Sequence, residues 1–370
     1  MKGPIIITGG GTGGHVFPMQ AIGEELLARS VPSQQLRYVG SRRGQEATLL
    51  AGGAIALTLL PGRGLQRSFA PRALLVNCGA ATRLLWSLFV AIWKIGQWRP
   101  STVISVGGYA SFAVSFAAVM WRRPLVLVDF DATPGAVHRA LARFATTRCT
   151  AFPSDDPRAV FTGAPLRHAI TAIDRSASSR ARARLRAVPP IDANRTVIVV
   201  MTGSLGARKV NRAVSALAQQ WASRNDITIV HVSGRRDFEE VANNAPELRG
   251  LDYRIVPFAN MVELWQWCDL ALCRAGAMTI GELTALAIPA LLVPLPGAPG
   301  DHQTVNARSL VEHGAARMLP DAECNAPHLA RALEEMMVQP TRDAMSSASR
   351  ALGHLDATSR IVDVLLEVAA

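Results

Sequence analysis

Four times along this 370-residue chain, a short apolar run ends in a turn of small residues and a helix-forming stretch follows at once. The runs are Ile5-Ile6-Ile7-Thr8, Val103-Ile104-Ser105-Val106, Thr196 to Met201 and Leu270-Ala271-Leu272. The turns are Gly9 to Gly14, Gly107-Gly108-Tyr109, Gly203 to Arg208 and Cys273 to Ala277. Strands that are apolar along their whole length suit the middle of a parallel sheet covered on both faces. A small-residue turn between such a strand and a helix gathers backbone N–H groups and the positive end of the helix at one point, which favours a phosphate. Two of these units fall in each half of a chain long enough for two domains. The expected fold class is therefore α/β: two doubly wound Rossmann-like domains facing across a cleft, with ligands at the carboxyl ends of both sheets.

The fourth unit carries the most chemistry. Ala275, Gly276 and Ala277 leave no bulk where a phosphate would approach the N–H groups of Met278 and Thr279. Glu282 lies one helical turn further on, at the reach of a ribose diol. Thr279-x-x-Glu282 also fits a capping box, which needs no ligand, so the stretch alone leaves both readings open. In the first unit, Gly9-x-Gly11-x-x-Gly14 matches a dinucleotide fingerprint, but the next strand, Leu36 to Gly40, ends without an acidic residue for a ribose hydroxyl. Arg42 and Arg43 would suit a 2′-phosphate, which keeps an NADP enzyme open.

Charge is divided unevenly. Residues 1–164 hold 17 Lys+Arg against 7 Asp+Glu, whereas residues 165–370 hold 22 against 21. A basic first half implies an anionic surface as partner, nucleic acid or phospholipid headgroups. Within it, Leu84-Leu85-Trp86-Ser87-Leu88-Phe89-Val90-Ala91-Ile92-Trp93 is apolar on almost every side, flanked by Arg67, Arg72, Arg83, Lys94 and Arg99. It is too short to span a bilayer, so Leu84, Leu85, Trp86, Phe89 and Trp93 are expected to lie on a membrane surface. The five cysteines are scattered, with no CxxC and no His/Cys cluster, which favours a reduced compartment and no zinc site. The N-terminus runs straight into a strand without a signal-peptide layout, so the cytoplasm is expected. The five arginines between Arg175 and Arg186 read as a solvated helix face.

The ordered motifs resemble one family. Gly10-Gly11-Thr12-Gly13-Gly14-His15-Val16-Phe17-Pro18 is similar to the opening loop of the MurG transferases, and Gly107-Gly108-Tyr109 to their second glycine loop. Gly163-Ala164-Pro165-Leu166-Arg167 resembles their hinge, Gly203 to Arg208 their Gly-Gly-Ser-Gln-Gly-Ala-Arg, Arg274 to Glu282 their nucleotide-sugar segment, and Asp301-His302-Gln303-Thr304-Val305-Asn306-Ala307 their Asp-His-Gln-x-x-Asn-Ala. The resemblance implies a GT-B glycosyltransferase with an N-terminal acceptor- and membrane-binding domain, 1–164, and a C-terminal UDP-sugar domain, 165–353. The helix at about 354–370 would pack back on the first. The implied activity is that of an inverting hexosyltransferase moving N-acetylglucosamine from UDP-N-acetylglucosamine to undecaprenyl-diphosphate-muramoyl-pentapeptide in peptidoglycan synthesis. It would work at the cytoplasmic face of the inner membrane as a peripheral protein on an anionic surface, without cofactor, metal or nucleic acid. Carried over, Thr12, Gly13, Gly14, Asp131, Arg167, Ser204, Phe258, Met278, Thr279, Glu282, His302 and Gln303 would bind the donor. Ser204 and the Met278 and Thr279 N–H groups would take the diphosphate, Glu282 the ribose, the Phe258 backbone the uracil, and His302 and Gln303 the sugar. Gly13, Gly14, His15, Gly107, Gly108 and Tyr109 would receive the acceptor diphosphate.

Two segments depart from the family pattern. Most members carry His-Glu-Gln-Asn after the fourth N-terminal strand, where this chain has Val128-Asp129-Phe130-Asp131. Leu205 replaces the Gln of the third loop. His15 and Asp129 are the candidate general bases, His15 because imidazole titrates near working pH. Asp129 has the alternative of orienting a neighbouring side chain, and His15 that of binding phosphate only. Asp129-Phe130-Asp131 also spells Asp-x-Asp, a metal-binding pattern of another transferase fold, which the glycine loops argue against. Pro294 to Gly300 reads as a lid before His302. The alternatives in function are a divergent or inactive relative that binds a nucleotide sugar, and a UDP-sugar epimerase of related fold.

Overall fold

The computed structural model describes residues 3–11, 13–61, 71–203 and 206–370, with 71–81 described by their backbone only. Thr12, Ser204, Leu205, Arg67 and the Arg72 side chain therefore lie outside the described residues. The described strands form two sheets in which every pairing is parallel. The first holds β1 (Ile5–Thr8), β2 (Leu36–Ser41), β3 (Ala56–Leu60), β4 (Thr102–Ser105), β5 (Leu125–Asp129), β6 (Thr147–Thr150) and β7 (Ala159–Phe161), in the order β3-β2-β1-β4-β5-β6-β7. The second holds β8 (Thr196–Met201), β9 (Ile227–Val232), β10 (Asp252–Val256), β11 (Leu270–Cys273), β12 (Ala290–Leu292) and β13 (Ala316–Met318), in the order β10-β9-β8-β11-β12-β13.

This is the doubly wound fold expected from the sequence, made twice. Its cause is visible in β8. Val197 and Val199 point into one core cluster while Ile198 and Val200 point into another on the opposite face. A strand buried on both faces has no polar alternation, and each side chain so buried contributes about 1.5–3 kcal/mol. In each sheet the chain order reverses once, between β1 and β4 and between β8 and β11. Ligands of such sheets bind beyond the carboxyl ends of those strands. All four glycine loops singled out in the sequence follow these four strands.

The chain divides into two compact units, Met1–His168 with His354–Ala370, and Ala169–Gly353. The helix Ala357–Ala369 belongs to the first. It buries Ile361, Val362 and Leu365, Thr358 bonds both the N–H and the carbonyl of Leu166 at 2.9 and 2.8 Å, and Asp363 pairs with Arg29.

The arginine run is not the solvated face expected of it. Arg184 on the helix Ala177–Arg186 is buried; it donates to the Trp267 carbonyl at 2.8 Å and to Asp269 at 2.5 Å. Arg180 pairs with Asp269, and Arg175 donates to the carbonyls of Trp265 and Cys268. These carbonyls end the helix Met261–Trp267, where a cation satisfies both the orphan acceptors and the dipole. Burial pushes Arg175 and Arg184 down to about 10. Arg182 and Arg186 alone of the five are exposed.

Candidate active site

In the second unit, β11 ends at Cys273 and a helix runs from Ala277 to Ala285 with Gly276 as its N-cap. Thr279 is thus the third residue of the helix and not its cap. No side chain caps this terminus, so the capping-box reading of Thr279 and Glu282 falls. The first intrahelical bond is from Ile280 N–H to the Gly276 carbonyl. The N–H groups of Ala277, Met278 and Thr279 therefore have no intrahelical acceptor, and a Cβ at Gly276 would meet nothing within 4 Å. One turn on, Glu282 accepts a 2.8 Å bond from the indole N–H of Trp265, a fully buried ring that fixes the carboxylate. Sequence reasoning missed Trp265, whose only signal is a bulky aromatic in an otherwise ordinary helix.

The loop before this helix is clamped from the helix His302–Glu312. The Gln303 Oε1 atom accepts from Ala275 N–H at 3.2 Å and from Leu295 N–H at 3.0 Å, and buried Asn306 donates to the Ala275 carbonyl at 3.2 Å. Gln303 was expected to read sugar hydroxyls. Its amide oxygen is instead committed to the backbone, tying down the 294–300 stretch as well. His302 donates from Nδ1 to the Pro299 carbonyl at 2.8 Å, which leaves Nε2 as the acceptor of the ring. Phe258 is exposed, and the Arg235 guanidinium lies over its ring at 5.2 Å.

In the first unit, β1 leads through the first glycine loop into the helix Gly13–Ala28, with Gly13, Gly14 and His15 in its first turn. Buried Glu46 holds this loop, its Oε1 accepting from Gly11 N–H at 3.0 Å and Ser41 N–H at 3.1 Å. The second loop leans against the first. Gly108 adopts φ 79 and ψ 163, and a Cβ there would stand 2.3 Å from the Gly10 carbonyl and 3.3 Å from His15 Cγ. Tyr109 reaches Ser41 through its hydroxyl at 3.4 Å. The His15 ring packs on Phe130 at 5.5 Å. Arg167 sets its guanidinium 4.4 Å over the Phe17 ring, in the helix that the first loop opens.

Asp129 departs from its expected role as a base. The last residue of β5, it is buried and accepts from three donors: His138 Nδ1 at 2.7 Å, Arg148 Nη2 at 2.7 Å and Arg148 Nε at 3.0 Å. Burial alone pushes this carboxyl up, but His138 and Arg148 outweigh it and hold it below the ordinary carboxylate range. A carboxylate so engaged orients His138 and has little basicity to offer a substrate hydroxyl. The same engagement takes the first acid of Asp-x-Asp out of use as a metal ligand. Asp131 follows in the same segment, half-buried.

On the helix Pro71–Trp98, Leu85, Trp86, Phe89 and Trp93 are 58–66 % exposed. Leu84 is half-buried, and Ala91 and Ile95 face the core. Trp86 stacks on Phe89 at 5.6 Å. Trp121, which the sequence did not point to, extends this surface; it is 48 % exposed and donates from Nε1 to the Ile92 carbonyl at 2.8 Å. Among the described residues no helix is long and apolar enough to cross a membrane.

Comparison with known proteins shows the family. Residues 5–150 match the N-terminal domain of glycosyltransferase family 28, and residues 197–361 its C-terminal domain. A protein of Alkalilimnicola ehrlichii named UDP-N-acetylglucosamine--N-acetylmuramyl-(pentapeptide) pyrophosphoryl-undecaprenol N-acetylglucosamine transferase is 37% identical, over 100% of both chains. The chain belongs to the MurG family of glycosyltransferases. A Pseudomonas aeruginosa protein of the same name is 36% identical over 100% of this chain and 99% of its own. The crystal structure of Acinetobacter baumannii MurG superposes with a TM-score of 0.76 at 25% identity, covering 98% of this chain and 99% of that one. The fold is the two-domain GT-B type that the MurG-like motifs implied.

Proposed function

We propose that the chain transfers N-acetylglucosamine from UDP-N-acetylglucosamine to a lipid-linked muramoyl-pentapeptide diphosphate, as the names of its relatives describe. The observation that carries this reading is the helix start at Gly276, uncapped by any side chain, with Glu282 fixed one turn on by Trp265. A nucleoside diphosphate has the two features this arrangement recognises, an anion for the N–H groups and a ribose diol for the carboxylate. In this reading the second unit holds the donor: Met278 and Thr279 at the diphosphate, Glu282 at the ribose, Phe258 at the uracil and His302 Nε2 at the sugar. The first two glycine loops receive the acceptor diphosphate.

The reaction is a single displacement. An acceptor hydroxyl attacks the anomeric carbon, the bond to UDP breaks, and the anomeric centre inverts. The hydroxyl proton passes to a base, and His15 is the base we assign, because Asp129 is engaged by His138 and Arg148. Preorganised N–H donors stabilise the leaving diphosphate as its charge develops.

The acceptor's lipid requires a membrane, and the exposed face of the helix Pro71–Trp98 supports docking there. Leu85, Phe89 and Trp93 recur every four residues on one face, with Lys94 within 6 Å of the Trp93 and Trp98 rings. Trp121 and Arg122 border them. The test of function is incubation with UDP-N-acetylglucosamine and the lipid acceptor. Acceptor-dependent UDP release is expected. Release without acceptor, epimerised donor, or binding without turnover would replace the reading with one of the alternatives.

A further inference from the structure

The segment that departs from the family pattern builds a connected polar chain. Arg148 bridges Asp156 at 3.0 Å and Asp129 at 2.7 Å, and Asp129 accepts from His138 Nδ1 at 2.7 Å. His138 Nε2 lies 2.9 Å from the Ser105 hydroxyl, whose Oγ accepts from Gly107 N–H at 3.4 Å. Ser105, His138 and Asp129 are 0 %, 3 % and 5 % exposed. Their order reproduces the connectivity of a hydrolytic triad, but no substrate carbonyl can reach an enclosed Ser105, and its oxygen already takes the Gly107 N–H.

We propose that His138, acting with Ser105, is the positioning group of the second glycine loop. The Asp129 carboxylate fixes the imidazole proton on Nδ1, which makes Nε2 an acceptor. Nε2 accepts the hydrogen bond from the Ser105 hydroxyl, so the hydroxyl oxygen turns a lone pair toward Gly107 N–H. Ser105 is the last residue of β4 and Gly107 opens the loop at φ +86. The relay thereby ties the direction of the loop to β5 and β6 through Asp129 and Arg148. Its consequence for acceptor binding rests on our assignment of this loop to the acceptor diphosphate. Phe130, one of the positions that depart from the family pattern, backs His15 with its ring, so the segment Val128 to Asp131 touches both loops.

The test uses the full-length protein and the variants Ser105→Ala, His138→Phe and their double. Ser105→Ala removes one buried atom and keeps the strand. Amide hydrogen exchange, read without substrate, is expected to speed at Gly107 by tenfold or more in each single variant, with β4 unchanged. The acceptor KM is expected to rise about tenfold while the KM for UDP-N-acetylglucosamine stays within twofold. The double variant should be no worse than the worse single, because both changes cut one chain. Unchanged exchange at Gly107 in Ser105→Ala overturns the relay whatever the kinetics. Faster exchange with an unmoved acceptor KM supports the relay and overturns the assignment of the loop to the acceptor. Additive losses in the double variant, or donor and acceptor KM rising together, overturn the relay as a single positioning unit.

Discussion

Replacing Gly108 by alanine tests how closely the two glycine loops of the first unit must approach. Gly108 sits at φ 79 and ψ 163, a region that residues with a Cβ essentially never occupy. The added carbon would stand 2.3 Å from the Gly10 carbonyl oxygen, which is backbone and cannot rotate away. Restoring ordinary van der Waals contact requires the loops to part by about 1 Å. The backbone strain costs about 1–3 kcal/mol of stability, read as a lowered urea midpoint at unchanged slope. A displacement of about 1 Å at a reacting centre costs about a hundredfold in rate. We therefore expect kcat/KM for the acceptor to fall about a hundredfold, measured by acceptor-dependent UDP release, while UDP affinity by calorimetry stays unchanged because Met278, Thr279 and Glu282 lie in the other unit. A folded variant with wild-type acceptor kinetics would refute the claim that the approach of the loops matters. Equal loss of UDP affinity would show that the donor uses them too.

Glu282→Ala is expected to weaken UDP binding by about 1–3 kcal/mol, since it removes a ribose partner and leaves the Trp265 N–H without its acceptor; unchanged calorimetric affinity would remove Glu282 from the donor site. Leu85→Glu/Phe89→Glu should abolish flotation with anionic liposomes while the protein stays folded, each basic residue near such a surface being worth about 1 kcal/mol; equal flotation of wild type and variant would end the docking proposal. Transfer should survive EDTA, because the glycine loops supply backbone N–H donors and Asp129 is held by His138 and Arg148; loss in EDTA reversed by magnesium would promote Asp131 to a ligand. Burial pushes His231 down to about 3, so between about pH 6.5 and 3 the unfolded chain takes up a proton that the native state refuses, and stability drops as the pH is lowered. From pH 7 to 5 this amounts to about 2 kcal/mol, and His231→Gln should lose most of it in urea titrations; an equal slope in both proteins would contradict the burial argument.

The fold was legible because its signals are local. A strand such as Thr196–Met201 needs apolar residues on both faces, and a turn such as Val106 to Tyr109 needs glycine where φ is positive, so both conditions are written where they act. The loops of the candidate site were legible for the same reason, each lying between a strand and a helix. Side-chain partners were not. Asp129 is nine residues from His138 and nineteen from Arg148, Trp265 is seventeen from Glu282, and Asp269 is more than eighty from Arg180 and Arg184. Hydrophobic period reports which face is covered, but not which polar atom on another element meets it. The arginine run was misjudged on that account, since nothing beside Arg184 in sequence announces the open carbonyls at Trp267 and Cys268.

The same limit explains the division of labour at the loops. In both units, polar side chains near the loops hold backbone: Gln303, expected at the sugar, and Asn306 clamp Ala275, Glu46 clamps Gly11, and in the relay we propose Asp129, a candidate base, acts through His138 and Ser105 on Gly107. The arginines beside them are neutralised locally, Arg274 by Asp321 and the carbonyls of Val293 and Pro294, Arg148 by Asp129 and Asp156. In the reading proposed above, the backbone N–H groups at the helix starts meet the diphosphate. Such donors carry partial charge in fixed directions, so they need no reorganisation as charge develops on a leaving group. A flexible cationic side chain must first be ordered before it can do the same, so less of its interaction is preorganised. Side chains spent on fixing the loops thus serve the chemistry more than the same side chains turned toward the ligand.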